Sequence, residues 1–336
     1  MEKQIVENMV SPLTGGRVFL VEGMENQTFR KEDYSVHASY YICEDTGEHF
    51  TTEEQDEQMF NELYNQYRIR HSIPFPEEIK KIREHFQLSY SQITKIAGFG
   101  QNQWKQYEDG NIPSVSNGKI IVAIRNREGM LTMLEASKNQ FGESAYNKIR
   151  QNILCAPDIS QDDILQFYFF GNTQRGATNG YSEMNPDKLQ CMVQYIVSKE
   201  AKGVSKTKLN KEMFYADFYN YKKHGRSISG LAYRAIQYGP VPEHYETIYD
   251  HVQGLTRETV LCNGDFDYDL MHCDNPDTSS LTEEELDTIN KVMSTLVDMN
   301  RSEVIELSHK ENGWQNYKDK HSFIPYEEAY TLKAFR

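Results

Sequence analysis

The segment Leu209–Tyr249 constrains the fold more than any other part of the chain. Its first half, Met213-Phe214-Tyr215-Ala216-Asp217-Phe218-Tyr219-Asn220-Tyr221, places apolar or aromatic side chains on nearly every side of a helix predicted over Thr207 to Lys223. A helix with no polar face has to be buried, so the rest of a domain must be arranged around it. Such a stripe of Tyr and Phe is explained by core packing and needs no cofactor. The second half is punctuated by His224-Gly225-Arg226 and by Gly239-Pro240-Val241-Pro242. The prolines fix their own backbone angle and restrict the residue before each, which predicts a rigid turn at 239–242.

At 336 residues the chain has room for two or three modules. With 38% apolar residues it can build packed cores, and no run approaches the roughly 20 apolar residues needed to span a bilayer. The start Met1-Glu2-Lys3-Gln4 lacks a basic-then-apolar signal region, and five scattered cysteines indicate no disulfide framework, so a cytoplasmic protein without membrane association is expected. The net charge of −14 argues against bulk electrostatic coating of nucleic acid. Its distribution is uneven. Residues 1–72 hold 6 basic and 14 acidic side chains and residues 186–336 hold 18 and 24, whereas residues 73–137 hold 8 and 7. DNA contact is to be sought first in that near-neutral segment, and the acidic remainder suits a basic protein partner.

Arg17–Phe50 is rich in Val, Phe, Tyr and Thr with short alternations and predicts a small strand meander, followed by a connecting helix with Met59, Phe60, Leu63, Tyr64 and Tyr67 at helical spacing. Ser89 and Gln92 have capping-box spacing, Gly98-Phe99-Gly100 reads as a tight turn, and Gln101–Asp109 forms a further helix closed by Gly110. Helices are also predicted over 116–126, 128–136, 152–170 and 189–198, from Thr282 onward and from Ser302 to Leu307. Gly171–Gly180 reads as a flexible linker and Cys262–Ser280 as an exposed acidic loop. By spacing alone, the short helix pair fits a helix-turn-helix and a plain bundle equally well.

Two resemblances sharpen this reading. Tyr215-Ala216-Asp217, Gly225-Arg226-Ser227-Ile228-Ser229-Gly230, Tyr233 and Gly239-Pro240-Val241-Pro242, with His309 and Trp314 later, resemble the Panacea (SocA-like) domain of antitoxins. Leu88–Gln92, Gly100–Trp104, Gln106–Gly110 and Pro113-Ser114 are similar to the helix-turn-helix of MqsA-type antitoxins. In that family two Cys-x-x-Cys pairs build a zinc ribbon, where this chain has Ser11, Thr14, Cys43 and Thr46. Hydroxyls do not replace thiolates in a structural zinc site, so no metal and no cofactor is expected. Val18, Leu20, Phe29, Tyr40 and Ile42 would hold the strands instead.

The resemblance implies a mainly α fold with a small amino-terminal β module (a degenerate zinc ribbon, 1–58), a connecting helix (59–72), a helix-turn-helix bundle (73–138), a helical linker (139–184) and a helical Panacea domain with minor β structure (185–336). It implies an antitoxin that binds a cognate protein toxin and represses its own operon as a homodimer on operator DNA. Tyr90, Ser91, Gln92, Asn102, Gln103, Lys105 and Gln106 are the candidate DNA-contacting residues, since Asn and Gln can pair with adenine edges and Lys reaches guanine or phosphate. Gln106 and Tyr90 depart from the Arg and Gln of the resembling motif, so a different operator is expected. Tyr215, Asp217, Gly225, Arg226, Tyr233, Gly239, Pro240, Val241, Pro242, His309 and Trp314 are the Panacea motif residues, structural or partner-binding.

No catalytic residue is expected. His224, His244, His251 and His272 lack metal-binding spacing, and there is no Gly-x-Ser-x-Gly, Cys-x-x-Cys or phosphate-cradling glycine loop. The alternatives are a transcriptional regulator or protease adaptor without a toxin, and a hydrolase whose His/Asp/Tyr pocket only a structure would reveal.

Overall fold

The computed structural model describes residues 2–157, 175–260 and 268–335. Most of the helix expected over 152–170 (from 158 on), part of the linker (171–174) and part of the acidic loop (262–267) lie outside these residues. The fold is mainly α with small antiparallel sheets, and the chain divides into two compact units, residues 1–63 with 166–336 and residues 64–165. Among the described residues no helix is long and apolar enough to cross a membrane.

In the first unit, strands β1 (Glu2–Val10), β2 (Arg17–Phe29), β3 (Glu32–Cys43) and β4 (His49–Phe50) form an antiparallel meander in sequence order. Pairing of β2 with β3 runs unbroken from Val18↔Cys43 to Phe29↔Glu32. Arg30 and Lys31, both at positive φ (49° and 71°), close this hairpin. Two consecutive left-handed residues match the right-handed twist of the flanking strands. Val18, Val21, Tyr34, Val36 and Ala38 are buried, while Leu20, Phe29, Tyr40 and Ile42 are only half-buried. The meander therefore packs through a set shifted toward the centre of β3 from the one expected. Sequence patterning also missed β1, whose run of polar residues alternates weakly.

The helix Lys206–His224 is the core of this unit. Ser205 caps its start by accepting from the Lys208 amide, and Gly225, at φ 69°, ends it in the left-handed conformation. Every residue from Lys208 to Phe218 is buried. Phe214 and Phe218 lie 4.2 Å apart by ring centroid, and Phe218 stacks on Tyr326 at 4.3 Å. Against this helix pack the helices Pro186–Lys199, Glu283–Leu296 and Arg301–His309, and Asn312–Tyr317 follows the last of these.

Three expectations are corrected here. Gly239–Pro242 is strand β7, paired with β6 (Tyr233–Ile236), and the turn falls at Gln237-Tyr238. Two prolines are tolerated because the strand lies at the edge of a two-stranded sheet, where half its amides need no ladder partner. Tyr268–His272, expected in a loop, is strand β9, the centre of a sheet with β5 (Val204–Ser205) and β8 (Thr256–Val260). Its Met271 is fully buried, which outweighs the acidic surroundings. Residues 175–180 form a packed turn: the Gly176 amide donates to Asn179 Oδ1 at 2.9 Å, and Asn179 and Tyr181 are both buried.

The second unit is a set of short helices around one core. Tyr90–Ala97 begins with the capping box expected at Ser89 and Gln92 and ends at Gly98, φ 70°. Gln103–Glu108, Val115–Ala123, Arg127–Ala136 and Glu143–Cys155 follow, with Ile93, Trp104, Ile121, Met130, Leu134 and Ile149 packed together.

Gly230 has φ 73°, and a Cβ there would sit 2.6–2.9 Å from the backbone of Glu183 and Met184. Gly230→Ala adds left-handed strain to a backbone clash. It is expected to lower stability by roughly 2–4 kcal/mol in urea unfolding followed by circular dichroism.

Candidate functional site

The Panacea-like motif converges on one carboxylate. Asp217, fully buried on the central helix, accepts from the Ile228 and Ser229 amides (2.8 Å each), from Tyr233 Oη (2.7 Å) and from Ser229 Oγ. Burial raises its pKa to about 6, and would raise it further without these four donors, which favour the ionised form. The loop Gly225–Gly230 is thus wrapped around a charge. Asn220 Nδ2 donates to the Arg226 carbonyl at 2.8 Å and secures the loop's start. Ser227 secures its other side, its Oγ donating to Asn179 O (2.7 Å) and its amide to Gly180 O (3.0 Å), while Ser182 Oγ donates to Ser227 O (2.6 Å). The motif and the 175–184 turn therefore hold each other.

The remaining motif residues act on neighbouring elements. Tyr215 Oη donates to Glu311 (3.2 Å), a buried carboxylate that also accepts from the Lys333 and Ala334 amides at 2.7 and 3.1 Å and so anchors the chain near residue 334. Burial raises the pKa of Glu311. Trp314 donates its indole N–H to Ile236 O (2.8 Å), and His309 stacks on the indole at 3.9 Å. His309 and Trp314 thus fasten the β6–β7 hairpin. Gly239, at φ 98°, lets that hairpin lie against Ser308 and Lys211, since a Cβ would meet their atoms at 2.6 and 2.8 Å.

Tyr215, Asp217, Gly225, Tyr233, Gly239, Pro240, Val241 and Pro242 are all buried, Trp314 is 9% exposed, and Arg226 is half-buried. With its carboxylate already taking four donors, Asp217 has no free position for a general base. The motif is a device for packing, and a partner approaching this folded domain would meet other residues, such as Tyr238 at the hairpin tip, 57% exposed.

Residues 209–315 match the family described as antitoxin SocA-like, Panacea domain. No curated protein and no solved structure matches the chain. The Panacea-type match begins at the central helix and ends just after Trp314, so it takes in the whole Asp217 lock except the 175–184 turn.

Sequence reasoning missed Glu311 and Lys211. The first lies between His309 and Trp314 and could have been suspected from that neighbourhood. Lys211 is fully buried, and its Nζ has no hydrogen-bond partner among the described residues. Burial, with the Arg301 guanidinium nearby, pulls its pKa down to about 7.

Among the amino-terminal strands, the four positions Ser11, Thr14, Cys43 and Thr46 do come together. Thr14 Oγ1 lies 3.4 Å from Cys43 Sγ, and hydrogen bonds from Ser11, Thr14 and Thr46 hold the thiol down at about 6. One sulfur among three hydroxyls is not a donor set for structural zinc. Among the described residues no cluster of three or more His, Cys, Asp or Glu side chains could hold a metal ion.

In the second unit Trp104 and Tyr107 face the core, leaving Asn102, Lys105 and Gln106 exposed on the opposite side. Ser91 is exposed as well. The other three candidates have internal partners. Gln92 completes the capping box, Gln103 donates to Tyr107 Oη (2.7 Å) and accepts from the Gly100 amide (3.0 Å), and Tyr90 Oη donates to Glu108 (3.0 Å). Glu108 also pairs with Arg83 at 2.6 Å and accepts from the Trp104 indole at 2.8 Å, tying three helices together.

Two substitutions test these assignments. Tyr233→Phe removes one donor from a buried carboxylate and is expected to cost about 2 kcal/mol, and Asp217→Asn, which turns an amide toward the same donors, costs more in urea unfolding. For Lys211 the sign is opposite. Over pH 7 to 10.5 the unfolded chain holds a proton that the folded chain releases, so wild-type stability should rise with pH across that window. Lys211→Met should flatten the rise and stabilise the protein at pH 7 by about 2 kcal/mol or more, read from melting curves at several pH values.

Proposed function

We propose that the chain is the antitoxin of a toxin–antitoxin pair, neutralising a cognate protein toxin by direct binding through its Panacea-type domain. The observation that carries this reading is the antitoxin-family match at residues 209–315, on a domain whose signature residues are spent on its own packing. Neutralisation is then stoichiometric, through a surface that buries roughly 1,600 Å² or more, with no covalent chemistry. A predominantly acidic surface, from a net charge of −14, favours a basic partner.

The second part of the proposal is autorepression. Residues 73–138 act as a helix-turn-helix domain, the chain binds its operator as a homodimer, and the helix Gln103–Glu108 reads the major groove. Supporting this are Asn102, Lys105 and Gln106 on one exposed face, in the near-neutral segment 73–137. Ser91 reaches the backbone, while Tyr90, Gln92 and Gln103 hold the helices in position.

Co-expression of the full chain with the open reading frame beside its gene tests the first part. Growth rescue and co-purification of the neighbour are expected, and a harmless neighbour that never co-purifies contradicts the reading. Gel shifts on the promoter fragment test the second. Asn102→Ala is expected to weaken binding at least tenfold with loss of sequence preference, whereas Lys105→Ala weakens it evenly across sequences and lowers the salt dependence.

A further inference from the structure

The first unit contains a pocket of about 490 Å³ between the end of the helix Pro186–Lys199, strand β9 and the 297–301 turn. Its floor is a charge cluster. Lys208, 7% exposed, donates to Glu200 at 2.6 Å and to the Val297 carbonyl at 3.0 Å, and lies 3.6 Å from the wholly buried Glu212. Burial and the neighbouring Glu200 hold Glu212 well above the usual carboxylate range.

The rim is different. Lys199, Lys202 and Arg301 line the opening with no ion pair among the described residues, Lys199 resting over the Tyr195 ring at 4.2 Å. The lining holds these three cations and Lys208 against only Glu200 and Asp298, in a chain of net charge −14. This excess does not come from a free helix terminus: Asn300 Oδ1 already accepts from the Ser302 and Glu303 amides at 2.9 and 3.1 Å. It comes from side chains that have no ion partner among the described residues. One wall is apolar, built by Leu270, Val297 and Met299 with the ring of Tyr268, 38% exposed.

We infer that this pocket binds a small phosphate-bearing ligand with a planar ring, of the nucleoside mono- or diphosphate class. Three cations around one opening, without ion partners among the described residues, match the charge of a phosphate or pyrophosphate group. The volume lies within the roughly 300–1,000 Å³ of small-molecule sites and exceeds what a single partner side chain fills. Tyr268 supplies a face on which a base stacks, a contact tolerant of base identity.

Isothermal titration of the full chain with ADP, GMP, adenosine and inorganic phosphate tests this assignment, independently of any toxin. Micromolar binding of the nucleotides is expected, with adenosine and inorganic phosphate each at least tenfold weaker. Lys202→Glu with Arg301→Glu should weaken the nucleotides at least tenfold at a melting temperature no lower than that of the wild type, since Arg301 also repels the buried Lys211. Tyr268→Ala should weaken the nucleotides and leave inorganic phosphate as it was. No heat with either nucleotide, adenosine or inorganic phosphate binding as tightly as ADP, or nucleotide binding indifferent to the double substitution would overturn the inference.

Discussion

A carboxylate buried without water survives in its ionised form only where donors replace its hydration, and the organisation of the Panacea-type domain follows from how Asp217 meets that demand. Four donors come from a stretch of six residues, two of them backbone amides whose direction is set by the loop conformation. The loop must therefore curl around the helix that carries Asp217, with Gly225 and Gly230 at its left-handed corners. Once curled, it offers Ser227 to the 175–184 turn and Tyr233 to the aromatic cluster. A single charge thereby fixes the path of chain segments far apart in sequence.

The same logic recurs at lower strength. Glu311 gathers the Tyr215 hydroxyl and two amides of the 333–334 segment, and Glu108 gathers Arg83, Tyr90 and the Trp104 indole. Lys211 is the exception, a buried amine without a hydrogen-bond partner among the described residues, which weakens the fold and has its pKa pulled down to about 7. Because the signature residues face inward, they specify a scaffold that can be kept while the outer surface is varied. A shared signature is then compatible with unlike outer surfaces.

Much of this was legible in the sequence. The central helix followed from an apolar pattern on all sides, and the structure retains both the capping box expected at Ser89 and Gln92 and the helix start expected at Thr282. The family motif named Asp217 and Tyr233, but not that they bond to each other, since hydrogen bonding across sixteen residues has no periodic signature. Strand β9 hid among aspartates, and Pro240 and Pro242 masked strand β7, because local propensity cannot report a pairing partner. Lys211 and the Lys199–Arg301 pocket were out of reach for the same reason: burial and convergence are properties of the tertiary structure.

The central claim is that Asp217 closes the loop as part of the global fold rather than as a local embellishment. Native-state hydrogen exchange at the Ile228 and Ser229 amides tests it directly. If the account holds, both amides exchange only through global unfolding, with the same free energy and denaturant dependence as the helix Lys206–His224. Exchange through a low-energy local opening, while the helix amides stay protected, would contradict it.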